Sequence, residues 1–231
     1  MKNKLFSSCL KDSLPVAIAY VPVSIAFGVL ATSGGFSLFE SLLSSIFVFS
    51  GSMQLILLAM VEAKLGILGI FISAVLINMR HFFYTLTLLP DIKNLPFFYK
   101  HYSIFALTDE SFAILSSKNM ENEADKKFIY VLICGLNHFY WILGTILGCL
   151  LAKFSKIDYS SLSFALTALF TVLAFELFRK TRSNLVLSTA ILFGLIGIVI
   201  IPKDYMLVSC IFASFLFLLF NRSKLERKFL P

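Results

Sequence analysis

The sequence predicts an all-α, polytopic integral membrane protein, a bundle of about seven or eight transmembrane helices. Three observations carry this. Of 231 residues, 58% are hydrophobic, 26 are Phe and only 14% are charged, with a mean hydropathy of +0.89; a soluble domain is nearer a quarter charged. The apolar residues gather into runs of spanning length, at about 13–33, 39–61, 66–89, 128–152, 161–178, 183–201 and 205–221. The basic residues fall mostly in the gaps between these runs. A net charge of +7 placed in this way faces lipid headgroups, not nucleic acid.

The first run follows Lys2, Lys4 and Lys11. It is too long for a signal-peptide core and further spans follow it, so it reads as a retained helix. Pro15, Pro22 and Gly28 punctuate it and predict kinks. The second run holds "FSGSMQL", residues 49–55, with Ser50, Gly51, Ser52 and Gln54 in mid-membrane. Gly weakens a helix, and small polar residues admit an open backbone or a neighbouring helix. Transporters bind substrate carboxylates at such interrupted helices; plain packing of small residues is the alternative.

The third run carries "LINMRHFFYTLTLLP", residues 76–90. A charge such as Arg80 in mid-span costs about 2.5–3.5 kcal/mol on insertion scales, so it must face the bundle interior or a wet cavity. At helical spacing Ser73, Arg80, Tyr84 and Thr87 share one face, and Asn78, His81 and Thr85 the adjacent one. Half of this helix is therefore polar. Arg80 serves either a ligand or a buried ion pair, and His81 is either a proton carrier or a satisfied core histidine.

A weaker segment, "HYSIFALTDESFAILSS" (101–117), contains Asp109 and Glu110. If it crosses, the inside gaps hold Lys2, Lys4, Lys11, Lys64, Lys118, Lys126, Lys127, Arg179, Lys180, Arg182, Arg222, Lys224, Arg227 and Lys228. The outside gaps hold only Lys93, Lys100, Lys153, Lys156 and Lys203. The positive-inside rule then favours eight crossings with both termini cytoplasmic; re-entry of 102–117 is the alternative. Its carboxylates suit a proton-coupled step or a partner for Arg80. Thr108 to Ser111 also suits the N-cap of a short helix.

In the 128–152 run, Gly144 and Gly148 form a GxxxG pair that reads as helix packing. Asn137 and His138 are polar there and are candidates to line the same cavity as Tyr84 and Thr108. The chain reads as one transport domain, 1–231. The polar gap "SKNMENEADKK" divides it into possible repeat halves, 1–117 and 128–231, with "FVFSGSMQLILLA" and "SFALTALFTVLAF" in matching places. The tail "NRSKLERK" reads as a solvated cytoplasmic anchor. Cys9, Cys134, Cys149 and Cys210 form no CxxC pair and read as small apolar residues. No phosphate loop and no HExxH occurs. No metal or cofactor is expected.

"PVSIAFG", "FSGSMQL", "LINMRHFFYTLTLLP", "LTDESFAI", "HFYWILGTILG" and "LSFALTALF", in this order, resemble the AzlC family of branched-chain amino acid permeases. The Asn-x-Arg-His and Thr-Asp-Glu-x-Phe-Ala matches are the specific ones. The resemblance implies a large permease subunit exporting leucine, isoleucine and valine, together with a small four-helix membrane subunit of the AzlD type. The chain departs from the family pattern at Ser50, Leu55 and Ser163.

The expected function is secondary transport of branched-chain amino acids, as proton-driven export across the cell membrane, and not catalysis. The substrate carboxylate would sit at Ser50–Gln54 or on Arg80, with Asn78 beside it. Asp109, Glu110 or His81 would carry the proton. An ion or small-solute channel is the alternative. An intramembrane hydrolase using Ser52 with His81 or His138 is a third reading, without a GxSxG to recommend it.

Overall fold

The computed structural model describes residues 2–118, 123–154, 171, 175 and 184–221. These form helices α1 (Lys2–Ser33), α2 (Leu38–Phe47), α3 (Gly51–Glu62), α4 (Ile67–Ile92), α5 (Phe97–Phe105), α6 (Asp109–Ser117), α7 (Glu123–Phe154), α8 (Asn184–Ile200) and α9 (Lys203–Phe220). The all-α expectation holds for the described residues. Among them, three helices are long and apolar enough to cross a membrane: α1, α4 and α7. The predicted span 161–178, the "LSFALTALF" match with Ser163, the proposed repeat partner of "FVFSGSMQLILLA" and nearly all of the basic tail lie outside the described residues.

The chain divides into two compact units, residues 1–58 with 78–162, and residues 59–77 with 163–231. The spine of the first unit is α1 packed along α7. The two run in the same direction, because Tyr20, Ser24 and Gly28 meet Trp141, Gly144 and Cys149 in that order. They approach closely because glycines line the seam. A Cβ on Gly144 would strike the Ser24 side chain, one on Gly148 the Ile25 carbonyl, and one on Gly28 the backbone of Thr145 and Cys149. The glycine pair is a packing device, as its spacing predicts. α1 continues through Pro15 and Pro22.

The second apolar run is not one span. Ser37 and Glu40 form a reciprocal capping box that starts α2. The helix ends at Phe47, and Phe49 takes a left-handed φ of 37°. Its N–H reaches back to the Ser44 carbonyl at 3.3 Å. The Gln54 amide nitrogen then donates to the hydroxyls of Ser44 at 2.9 Å and Ser45 at 3.2 Å. A continuous helix would separate residues nine or ten apart by about 14 Å. The chain has therefore turned back, and α2 and α3 form a hairpin with residues 48–50 at its tip.

Segment 101–117 is a second hairpin. α5 runs parallel to α7: Lys127 lies 4.1 Å over the Tyr99 ring, Cys134 donates to the Ser103 carbonyl at 3.7 Å, and the Phe105 ring is 5.9 Å from His138. α6 runs the other way. Its start is tied to α1 by Tyr20 and Glu110, its end by the ion pair of Lys118 with Asp12. A crossing segment would carry Lys118 toward the far end of α1. The crossing favoured by charge counting is thus replaced by re-entry, and Lys93 and Lys100 move to the end where α1 begins. The last turn of α4 meets the first turn of α7, where Asp91 pairs with Lys126 at 2.7 Å. Seen along the α7 axis, the α2–α3 hairpin enters from the end where α1 finishes and the α5–α6 hairpin from the end where it starts.

In the second unit, α8 and α9 form an antiparallel pair. Cys210 donates to the Phe193 carbonyl at 3.3 Å and Phe193 meets Phe217 at 5.8 Å.

Candidate functional site

The two hairpin tips meet at one level of the bundle, and Arg80 stands between them. Its Nη1 is 2.7 Å from Asp109 Oδ2, in the first turn of α6. Its Nη2 donates to Ser52 Oγ at 2.8 Å, in the first turn of α3. Ser50 Oγ donates to Asn78 Oδ1 at 2.7 Å, so Asn78 and Arg80 of α4 both grip the α2–α3 tip. The first N–H groups of any helix lack intrahelical partners and carry a partial positive charge. Arg80 adds a full charge between two such ends, and Asp109 supplies the counter-charge. The pair is not sealed: the side chains keep 37% and 31% of their exposure. Arg80 Nε is buried and has no hydrogen-bond partner among the described residues.

Thr108 caps α6, as its sequence context predicts; its Oγ1 accepts from the Ser111 N–H at 3.3 Å. The cap turns Asp109 and Glu110 to different partners, as expected for adjacent helical positions. Asp109 faces Arg80, and Glu110 accepts from the Tyr20 hydroxyl. One turn along, Tyr84 stacks on Phe112 at 4.6 Å. Being four residues after Arg80 and three after Asp109, this pair forms an apolar wall beside the ions. His81 lies 6.2 Å from Tyr84, and its ring forms no hydrogen bond among the described residues.

α7 holds both tips in register. His138 Nε2 is 3.2 Å from the Ser45 carbonyl, which can only accept. In the neutral ring Nδ1 is then the acceptor for Tyr102 O–H, at 3.2 Å. Its ring also packs on Phe49 at 4.3 Å. His138 is thus a satisfied core histidine bridging the hairpins. Asn137 Nδ2 donates to Ser111 Oγ at 2.9 Å, while its Oδ1 is buried without a partner. Gly51 is required at its place, because a Cβ there would lie 2.6 Å from the Trp141 ring. Gln54 is wholly buried against α2, so it ties the hairpin and does not face the ion pair. Ser52 bonds Arg80 and neither His81 nor His138, so the hydrolase reading has no dyad.

Tyr20, Ser45, Tyr102 and Trp141 were not singled out by sequence reasoning. Ser41, Ser44 and Ser45, at helical spacing in an apolar run, were the available signal for the inner face of α2. Tyr20 had none.

Long apolar helices around an ion-paired arginine, with broken helices supplying its partners, define a polytopic membrane protein with a polar centre. The chain belongs to the AzlC family, whose model, described as AzlC protein, matches residues 15–154, from Pro15 within α1 to the end of α7. Every predicted site residue lies within that match. The chain is 25% identical over 222 residues to the branched-chain amino acid transport protein AzlC of Bacillus subtilis, covering 96% of this chain and 87% of that one. It is 30% identical over 200 residues to the inner membrane protein YgaZ of Escherichia coli, covering 84% and 81%. An Archaeoglobus fulgidus membrane protein, itself uncharacterized, is 37% identical over 175 residues, covering 74% and 75%. No solved structure matches the chain.

Proposed function

We propose that this protein is a secondary transporter of branched-chain amino acids, exporting leucine, isoleucine and valine in exchange for protons, together with a small AzlD-type membrane subunit. The observation that carries the reading is the Arg80 guanidinium, tied to Ser52 and Asp109 between two helix N-termini and still partly exposed. A planar guanidinium matches a carboxylate in a bidentate fork. The substrate carboxylate takes this fork by displacing Asp109, and the apolar side chain lies on the Tyr84–Phe112 wall. The printed name of the B. subtilis relative supports the substrate class.

Hairpins entering from opposite ends suit alternating access, since opening either one exposes Arg80 to one side only. Lys4, Lys11, Lys93, Lys100, Lys118, Lys126 and Lys127 gather at the end where α1 begins. The positive-inside rule puts that end, and the N-terminus, in the cytoplasm. The test is counterflow of labelled leucine in proteoliposomes, with and without the small subunit. Saturable exchange supports the reading; its absence in both preparations removes it.

A further inference from the structure

We infer that the two adjacent carboxylates of α6 divide the work, and that Glu110 with Tyr20 forms a proton-sensitive latch on the α5–α6 hairpin. Asp109 is neutralised by Arg80 at 2.7 Å. Glu110 forms no ion pair among the described residues; its partner is the Tyr20 hydroxyl. Glu110 is therefore the carboxylate of the two with no cation paired to it among the described residues, inside a bundle where ionisable groups are costly and mark proton relays. Among the described residues, the remaining titratable and charged groups near Glu110 are Arg80, His81 and Tyr84 on α4 and Asp109 on its own helix. From α7 the neighbours are Asn137, through Ser111, and Trp141, on Tyr20. Neither titrates.

The latch acts on movement because α6 is tied to α1 at two places. The Lys118–Asp12 ion pair holds the outer end, and Tyr20–Glu110 holds the tip. A hydrogen bond to an ionised carboxylate is about twice as strong as one to a neutral group. With Glu110 ionised, the tip is fastened to α1, and Arg80 is closed on that side. A proton arriving from water on Oε1 or Oε2 neutralises Glu110 and weakens the fastening, while the outer tie remains as the hinge. The proton leaves to water when the tip closes.

This rests on the transport reading, but its test needs no substrate. Ala106 is fully buried at the break between α5 and α6. In a background lacking Cys9, Cys134, Cys149 and Cys210, Ala106→Cys is alkylated in detergent-solubilised full-length protein between pH 4 and 8. Each rate is normalised to that of the unfolded chain at the same pH. The latch predicts labelling at least tenfold faster, after normalisation, at the acid end. Tyr20→Phe labels fast at every pH. Glu110→Gln, permanently neutral, does the same, and His81→Asn keeps the pH dependence. Leu107→Cys, buried at the same break, serves as a second reporter if Ala106→Cys does not fold. Labelling that is flat with pH in the parent, or still pH-dependent in Glu110→Gln, overturns the latch. Loss of pH dependence only in His81→Asn overturns it too. A failed leucine counterflow removes the substrate reading and leaves these results standing.

Discussion

Arg80 and Asp109, on α4 and in the first turn of α6, form an ion pair at 2.7 Å that joins a membrane-crossing helix to the tip of a hairpin. Removing one partner of a wholly buried pair costs about 3–5 kcal/mol. Both side chains here keep about a third of their exposure, so Arg80→Ala or Asp109→Asn is expected to cost about 1–3 kcal/mol. Thermal unfolding in detergent measures this. The double change Arg80→Ala with Asp109→Asn should cost less than the sum of the two single changes, since neither charge is then left alone.

Gly51 meets the Trp141 ring where any Cβ would stand 2.6 Å from it. Gly51→Ala is expected to destabilise by about 1–3 kcal/mol through overpacking. Adding Trp141→Leu should recover part of that loss, although Trp141→Leu alone is destabilising. A double-mutant cycle on unfolding midpoints reads the coupling; strictly additive effects would contradict the contact.

Phe49 combines a left-handed backbone with a ring buried on His138. A left-handed residue with a Cβ costs about 1–2 kcal/mol relative to Gly, and losing a buried Phe side chain costs about 3–5 kcal/mol. Phe49→Gly and Phe49→Ala both lose the ring, but only Gly relieves the backbone. Phe49→Gly should therefore be the more stable of the two by about 1 kcal/mol, and the opposite order would show that the tip is not left-handed in the folded protein.

The hairpin topology has its own test. Single cysteines at Lys93, Ser116 and Ser8 should react with a membrane-impermeant reagent from one face, and one at Lys153 from the other. A crossing segment would put Lys93 and Ser116 on opposite faces. Such a split would contradict the tie of Lys118 to Asp12.

The elements of this site were legible where the signal is local. The polar half of α4 followed from Asn78, Arg80 and His81 in an apolar run, and the Thr108 cap from a Thr-x-x-Ser opening a short helix. The break at Ser50–Gly51–Ser52 followed from small residues in mid-run. The direction of the chain after each break was not legible, because hydropathy is the same whether a broken helix continues or turns back. At residue 49 the reversal rests on a Phe in a left-handed conformation, where Gly or Asn would have announced it. Its confirmation is tertiary, through Gln54 on Ser44 and Ser45. Charge counting placed Lys93 and Lys100 on the wrong side for the same reason: it assumes that every apolar run crosses. Tyr20, the partner of Glu110, stands between two prolines with no feature of its own.

The central claim is that Arg80 receives a substrate carboxylate between the two hairpin tips. Competition in leucine counterflow tests it most directly, with unlabelled leucine set against leucinamide, which keeps the side chain and the amine but lacks the carboxylate. The account predicts that leucine competes, that leucinamide competes at least a hundredfold more weakly, as expected when a site built for a charged hydrogen bond loses its partner, and that Arg80→Ala abolishes exchange. Equal competition by leucine and leucinamide, or full exchange by a folded Arg80→Ala protein, would contradict it.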